Sequence, residues 1–318
     1  MVKAILITGT DGFIGSVLKE FFINEGYEVY GTTFFKQPAD EKEIHFDITQ
    51  PEDFSKLWND INFEATIHTI GVMDPAVPLK VMMDVHVEGT RKIYEYVKRQ
   101  GCNHFIYLSS IAVYGRKKSM GENHTELNAE RQVEKNKMQY GRTKAMAEVI
   151  IEKSGLGYTL LRLPVVLGRK DTYITPSILP KLQDGTIFTC GNKNRKISLF
   201  YVKNLGSLIL RILNIGALNG SFNCTSHDTT WDEFVQEYAN NLHVKYKPKK
   251  KNLIWSFLTH RKDVKYLMIA GFSALGSHFI STKLYERLEG WEPPFDWKTG
   301  VKEAIEGYFE SEKQPNIS

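Results

Sequence analysis

Short apolar runs alternate with amphipathic ones through the first half of the chain. Ile5-Leu-Ile-Thr8 is apolar enough for a strand buried on both faces, and Ser16 to Glu25 has helical spacing. Tyr27 to Thr33, Glu64 to His68 and Phe105 to Ser109 predict further strands, and Leu79 to Arg99 a long helix interrupted only by Gly89. Between them, His45-Phe-Asp-Ile48 reads as a strand end and Pro51 as the start of a helix. Met138 to Lys153 predicts another helix, and Gly157 to Leu163 a strand that runs on into Pro164-Val-Val-Leu-Gly168. This order predicts an α/β protein with a doubly wound parallel sheet over residues 1–165. Some later segments are expected to return to that sheet, with residues 166–318 forming mainly a smaller substrate-binding unit.

The pattern is less regular elsewhere. Gly115 to Lys137 is polar and predicts a surface loop, one that could cover a site. Thr230-Trp-Asp-Glu233 has the form of a capping box opening a helix to about Leu242. Lys245 to Lys251 is a basic run followed by Trp255, Phe257 and Leu258; a solvated loop and a membrane-surface or anionic-ligand contact both fit. Tyr266 to Ile280 is apolar and rich in small residues, suited to lining a pocket or packing as a core helix. Asp296 to Glu310 predicts a closing amphipathic helix.

Composition narrows the class. The chain has 318 residues, 42% hydrophobic and 25% charged, which is ordinary for a globular protein. A net charge of +4 is too small to argue for nucleic acid. Cys102, Cys190 and Cys224 are too far apart for a disulfide framework or a metal-ligand pattern. The first residues already read as a strand and not as a secretory signal, and no run reaches the roughly 18 apolar residues of a membrane span. A cytoplasmic enzyme is the expectation, with a small-molecule substrate, no metal and a homodimer as its assembly.

The glycines give the first chemistry. Gly9, Gly12 and Gly15 fall between the first strand and the first helix, where a phosphate can approach bare backbone and the helix dipole favours an anion. The spacing G-x-x-G-x-x-G meets the general dinucleotide fingerprint only approximately. The second strand should end at the adenosine ribose, where an acid would accept the 2′-hydroxyl of NAD. Here Thr32-Thr33-Phe34-Phe35-Lys36 has no carboxylate and one cation, so NADP is favoured, with NAD as the alternative. Asp47 suits either a contact with the adenine amino group or a helix cap.

Tyr140-Gly-Arg-Thr-Lys144 places a phenol and an ammonium one helical turn apart on one face. A free tyrosine, with a pKa of about 10, is poorly matched to neutral pH, and a nearby positive charge favours the phenolate. A serine at a strand end could hold a substrate oxygen against the phenol.

Four pieces in this order, Thr8-Gly-Thr-Asp-Gly-Phe-Ile-Gly15, Val87-Glu-Gly-Thr90, Ser109-Ser-Ile-Ala-Val-Tyr-Gly115 and Tyr140-Gly-Arg-Thr-Lys144, resemble the extended short-chain dehydrogenase/reductases. That family is also called the NAD-dependent epimerase/dehydratases. Later segments are similar to the 3β-hydroxysteroid dehydrogenase and sterol C4-decarboxylase branch. These are Ile67-His-Thr69, Arg169-Lys-Asp-Thr172, Phe200-Tyr-Val-Lys-Asn-Leu205, Gly220 to Thr225 with Trp231, and Lys283 to Pro293. The resemblance implies a Rossmann-type sheet. It makes Tyr140 the general acid/base, Lys144 the group that grips the nicotinamide ribose and lowers the Tyr140 pKa, and Ser110 the holder of the reacting oxygen. The expected dinucleotide contacts are Gly9, Asp11, Gly12, Phe13, Ile14, Gly15, Thr33, Lys36, Asp47, Ile48, Thr69, Ile70, Gly71, His86, Tyr140, Lys144 and Pro164.

The chain departs from the family at three places. His86 stands where the family usually has Asn; it takes over that hydrogen-bonding role or is a histidine satisfied within the helix packing. Lys203-Asn204 replace acidic residues after Tyr201-Val202. Val165 stands where nucleotide-sugar epimerases use an Asn toward the nucleotide diphosphate. The resemblance implies hydride transfer between the nicotinamide and a secondary alcohol or ketone. The alternatives are a nucleotide-sugar epimerase, dehydratase or 4-ketoreductase, and a cofactor-binding sensor or scaffold without catalysis.

Overall fold

In the computed structural model, residues 3–74, 76–115, 133–190, 196–251 and 282–313 are described. Seven strands form one sheet: β1 (Ala4–Thr8), β2 (Glu28–Thr33), β3 (Glu43–His45), β4 (Ala65–His68), β5 (His104–Ser110), β6 (Gly157–Leu163) and β10 (Gly220–Asn223). Their order is β10-β6-β5-β4-β1-β2-β3, and every pairing is parallel. The doubly wound sheet read from the pattern is therefore present, with β10 as a late segment that returns to it. Winding reverses between β1 and β4, the kind of crevice in which open parallel sheets bind ligands.

Successive strand residues serve opposite faces, which is why these strands are apolar throughout. Ile5, Ile7, Ile106 and Leu108 pack in one core with α1 (Phe13–Asn24) and the helix Val202–Ile215. Leu6, Phe105 and Tyr107 pack in the other with Ile93, Tyr96 and Val97. Leu79 to Arg99 is one continuous helical run, as expected, but it is not broken at Gly89. It passes from α2 (Leu79–Met83) through a π-helical turn, Asp84–Gly89, into α3 (Thr90–Arg99). Gly89 is needed for contact, since a Cβ there would lie 2.6 Å from Ile48 Cγ1.

A three-stranded sheet, β11-β9-β7, is built from β7 (Val165–Leu167), β9 (Lys196–Tyr201) and β11 (His227–Thr230). It shares a third core, including Val165, Ile178, Trp231 and Val301, with the helices Ile174–Gln183, Trp231–Leu242 and Trp297–Lys313. Thr230 and Glu233 close the capping box reciprocally, as their spacing predicts. Asn204, one of the departures from the family pattern, exchanges two 2.9 Å hydrogen bonds with the Phe295 backbone. The end of the basic run is not a loop: β12 (Lys249–Lys251) pairs with β8 (Phe188–Cys190). Most of Gly115–Lys137, and all of Trp255, Phe257, Leu258 and Tyr266–Ile280, lie outside the described residues. Among the described residues, no helix is long and apolar enough to cross a membrane.

Candidate active site

Because the strands are parallel, their carboxyl ends meet along one edge. The glycine turn follows β1 there, Thr69-Ile70-Gly71 follows β4, Ser110 ends β5 and Pro164 follows β6. The glycine turn is as tight as its sequence suggests. Gly9 has φ +77°, Gly12 N–H donates to the Gly9 carbonyl at 3.1 Å, and a Cβ on Gly15 would stand 2.1 Å from that oxygen. Gly12 caps α1 without a side chain, so Phe13, Ile14 and Gly15 bring bare N–H groups to the helix start. A cradle without side chains at the positive end of a helix fits the diphosphate of a dinucleotide. Ile14's side chain packs into the first core, leaving its backbone for this task.

The other expected dinucleotide contacts divide into two groups. Thr69 donates from Oγ1 to the Thr8 carbonyl at 2.6 Å and holds the turn after β4, and Gly71 lies against His86 and Lys144. Thr33 is buried with its hydroxyl turned toward the Ile44 carbonyl, and Lys36 has an exposed side chain. Asp47 Oδ1 accepts from both the N–H and the hydroxyl of Thr49, so it braces the turn before the helix Pro51–Lys56. Ile48 and Ile70 contribute side chains to the second core.

Tyr140 and Lys144 lie on the helix Gln139–Glu152, here α4. Gly141 lets this helix close on the turn after β5, because a Cβ there would fall 2.0 Å from the Ala112 carbonyl oxygen. Asn136 fastens the same junction by donating to the Ala112 and Val113 carbonyls at 2.8 and 3.1 Å. The half-buried Tyr140 is thereby brought beside Ser110, whose Oγ accepts from Ala112 N–H. Ser109 is turned elsewhere: it donates at 2.5 Å to Glu148, a carboxylate also paired with Arg162 in full burial.

Lys144 is buried, donates to the Leu108 carbonyl at 2.8 Å and sits over the Tyr107 ring at 4.3 Å. Burial lowers its pKa to about 7, against the opposing pull of Glu148. The expected depression of the Tyr140 pKa is not found. Burial pushes the phenol up to about 12, and the nearby Ser110 hydroxyl only partly opposes it. The Lys144 ammonium is engaged by Leu108 and Tyr107, and the burial that suppresses its charge is the reason the phenol gains little from it.

His86 is satisfied within the helix packing and also joins three segments. Its Nε2 accepts from Val72 N–H at 2.8 Å, so Nδ1 carries the proton and donates to Thr143 Oγ1 at 2.8 Å. Its ring meets Tyr140 edge-on, with centroids 5.6 Å apart. Sequence reasoning missed Tyr107, Asn136, Thr143 and the Glu148–Arg162 pair. Only Asn136, just before a helix start, carried a local signal, since the others act across long separations. Among the described residues, no group of His, Cys, Asp or Glu side chains is arranged to hold a metal ion.

Comparison with known proteins agrees with this fold. The model of the NAD dependent epimerase/dehydratase family matches residues 5–224. The chain is 23% identical to the N-acetyl-alpha-D-glucosaminyl-diphospho-ditrans,octacis-undecaprenol 4-epimerase of Escherichia coli O157:H7, over 99% of this chain and 98% of that one. It is 24% identical to the decarboxylating sterol-4-alpha-carboxylate 3-dehydrogenase ERG26 of Candida albicans, over 64% of this chain and 62% of that one. Its fold matches that of the Bordetella bronchiseptica enzyme WbmH, solved in complex with NAD+, with a TM-score of 0.76 and 19% identity over 98% and 99% of the two chains.

Proposed function

This chain belongs to the NAD dependent epimerase/dehydratase family, as an enzyme of the extended short-chain dehydrogenase/reductase type, and from that premise we propose that it moves hydride between a nicotinamide and a secondary alcohol or ketone. The observation that carries the reading is that Ser110, at the end of β5, and the helix bearing Tyr140 and buried Lys144 meet at the sheet edge that also bears the glycine cradle. A nicotinamide dinucleotide held there supplies or accepts the hydride. Ser110 orients the reacting oxygen. In reduction the carbonyl carbon gains hydride while its oxygen takes the Tyr140 proton; in oxidation the phenolate takes the proton back. A phenol pushed up to about 12 is protonated at neutral pH, the form reduction requires. Lys144 is the group offered to the nicotinamide ribose.

For the substrate we favour the carbinol of a diphosphate-linked sugar over a sterol. The 4-epimerase relative is matched from end to end, whereas the sterol dehydrogenase relative is matched over less than two thirds of either chain. Val165 packs in the third core and offers no side-chain donor to a diphosphate, so that group would be held by other residues. The same proposal includes a homodimer and a division near residue 165, the latter supported by the separate sheet of β7, β9 and β11. Net cofactor turnover is the test. An epimerase interconverts two diphospho-sugars with no net change in the absorbance of the reduced nicotinamide, whereas a ketone reductase consumes it stoichiometrically. No conversion of any diphospho-sugar, together with stoichiometric reduction of a ketosteroid, would overturn the sugar reading.

A further inference from the structure

The loop after β2 is folded around a carboxylate that comes from the glycine turn. Asp11 Oδ2 accepts from three successive backbone N–H groups, those of Phe34, Phe35 and Lys36, at 2.8, 2.5 and 3.1 Å. Three converging amides make an anion-binding concavity. Here the anion is the chain's own. These amides follow directly on Thr33 at the carboxyl end of β2, where a dinucleotide in this fold places its adenosine ribose.

Asp11 is held rigidly. Gly9 N–H donates to Thr32 Oγ1 at 3.0 Å, and Thr10 N–H donates to the Thr32 carbonyl at 2.9 Å. Thr10 Oγ1 donates to Glu43 at 2.6 Å, and Glu43 also pairs with Lys19 at 2.8 Å. Gly31 makes room for this arrangement, since a Cβ there would stand 2.7 Å from Thr10 Cγ2. The backbone on the N-terminal side of Asp11 is thus pinned to β2 and β3, and the carboxylate cannot leave the amides by a movement of the turn.

We propose that Asp11 sets the choice of cofactor, and sets it for NAD(H) against NADP(H). A 2′-phosphate at this place meets a fixed negative charge and finds the three amides already taken. A 2′-hydroxyl is neutral and can donate to Asp11 Oδ1, which has no partner among the described residues. The acid missing from the end of β2 in the sequence is supplied from the glycine turn. This reverses the expectation drawn from Thr33 and Lys36. The proposal rests on the dinucleotide reading above.

Titration calorimetry of the full chain with NAD+ and NADP+ tests it. The wild-type protein should bind NAD+ about tenfold more tightly or better, and Asp11→Asn should narrow that gap about tenfold, mainly by tightening NADP+. Asparagine keeps an oxygen for the amides while removing the charge. If the variant does not fold, competition on the wild-type protein reads the same site, with 5′-AMP expected to displace NAD+ better than adenosine 2′,5′-bisphosphate. Tighter binding of NADP+ by the wild-type protein, especially if lost in Lys36→Ala, would overturn the proposal. So would an unchanged ratio in a folded Asp11→Asn. Failure of the folded wild-type protein to bind either dinucleotide would instead remove the cofactor-site reading and this inference with it.

Discussion

Replacing Lys144 by methionine should make the cofactor-free protein more stable at neutral pH, although it removes a residue of the proposed site. The lysine is buried, has a carbonyl and an aromatic ring for company, and its pKa is lowered from 10.5 to about 7 by burial. That gap corresponds to roughly 5 kcal/mol of cost for carrying the charge inside the fold. The sign follows from proton counting. Between about 7 and 10.5 the unfolded chain binds more protons than the folded one, so this group makes stability rise with pH across that window. Below about 7 both states are charged and the full cost is present. Methionine fills similar volume and removes the cost, but gives up the hydrogen bond to the Leu108 carbonyl, a loss of about 1–3 kcal/mol. The net gain should be about 2–4 kcal/mol near pH 6.5, shrink as pH rises and reverse sign toward pH 9.5. Urea unfolding of both proteins from pH 6.5 to 9.5, followed by circular dichroism, measures this directly. A variant that is less stable by the same amount at every pH would refute the reasoning, because Lys144 would then titrate as it does in water.

Three other substitutions probe the same edge of the sheet. Tyr140→Phe should lower turnover of a confirmed substrate by about 10²–10⁴ while leaving dinucleotide affinity nearly unchanged, as read by steady-state kinetics and calorimetry. Gly141→Ala forces a Cβ to within 2.0 Å of the Ala112 carbonyl oxygen, so it should cost about 1–3 kcal/mol in chemical unfolding and lower turnover by moving Tyr140 from Ser110. Glu148→Ala removes the carboxylate that faces the buried charge of Arg162, and should cost about 3–5 kcal/mol, a fall in thermal midpoint that a calorimeter reads easily.

Much of this site was legible because it is local. The glycine turn, Ser110 at a strand end and the Tyr140–Lys144 pair one helical turn apart each declare themselves within seven residues, and parallel topology brings their strand ends to one edge. The capping box at Thr230 is legible for the same reason. What escaped the sequence is what depends on distant partners. Nothing near Asp11 shows that it will bind amides 23 to 25 positions away. The Glu148–Arg162 pair spans a helix and a strand. The pKa of Lys144 is set by burial, which spacing along a helix does not reveal. Tyr140 and Lys144 lie one turn apart on one helix, but a charge tunes its neighbour only as far as the fold allows it to remain charged.

Two of the buried histidines, His68 and His86, explain how the edge keeps its geometry without adding a pH response of its own. His68 lies between Thr8 Oγ1 at 2.7 Å and Thr90 Oγ1 at 3.0 Å, tying β1 to β4 and to the helix behind them. His86 ties the turn after β4 to α4 through Val72 and Thr143. Apolar packing could hold these segments at the right distance, but directional hydrogen bonds also fix rotation and register. Burial, aided by the nearby Lys144 charge, lowers the two imidazoles to about 3 and about 2, so both stay neutral across the working range of an enzyme. A charged His86 would lose its acceptor toward Val72 and release one end of the link. Keeping it neutral therefore keeps α4, and with it Tyr140, in place as pH falls. Lys144, lowered to about 7 by burial, is the group at this edge whose protonation changes near neutrality, altering the charge beside the proposed ribose site without loosening the frame that holds it.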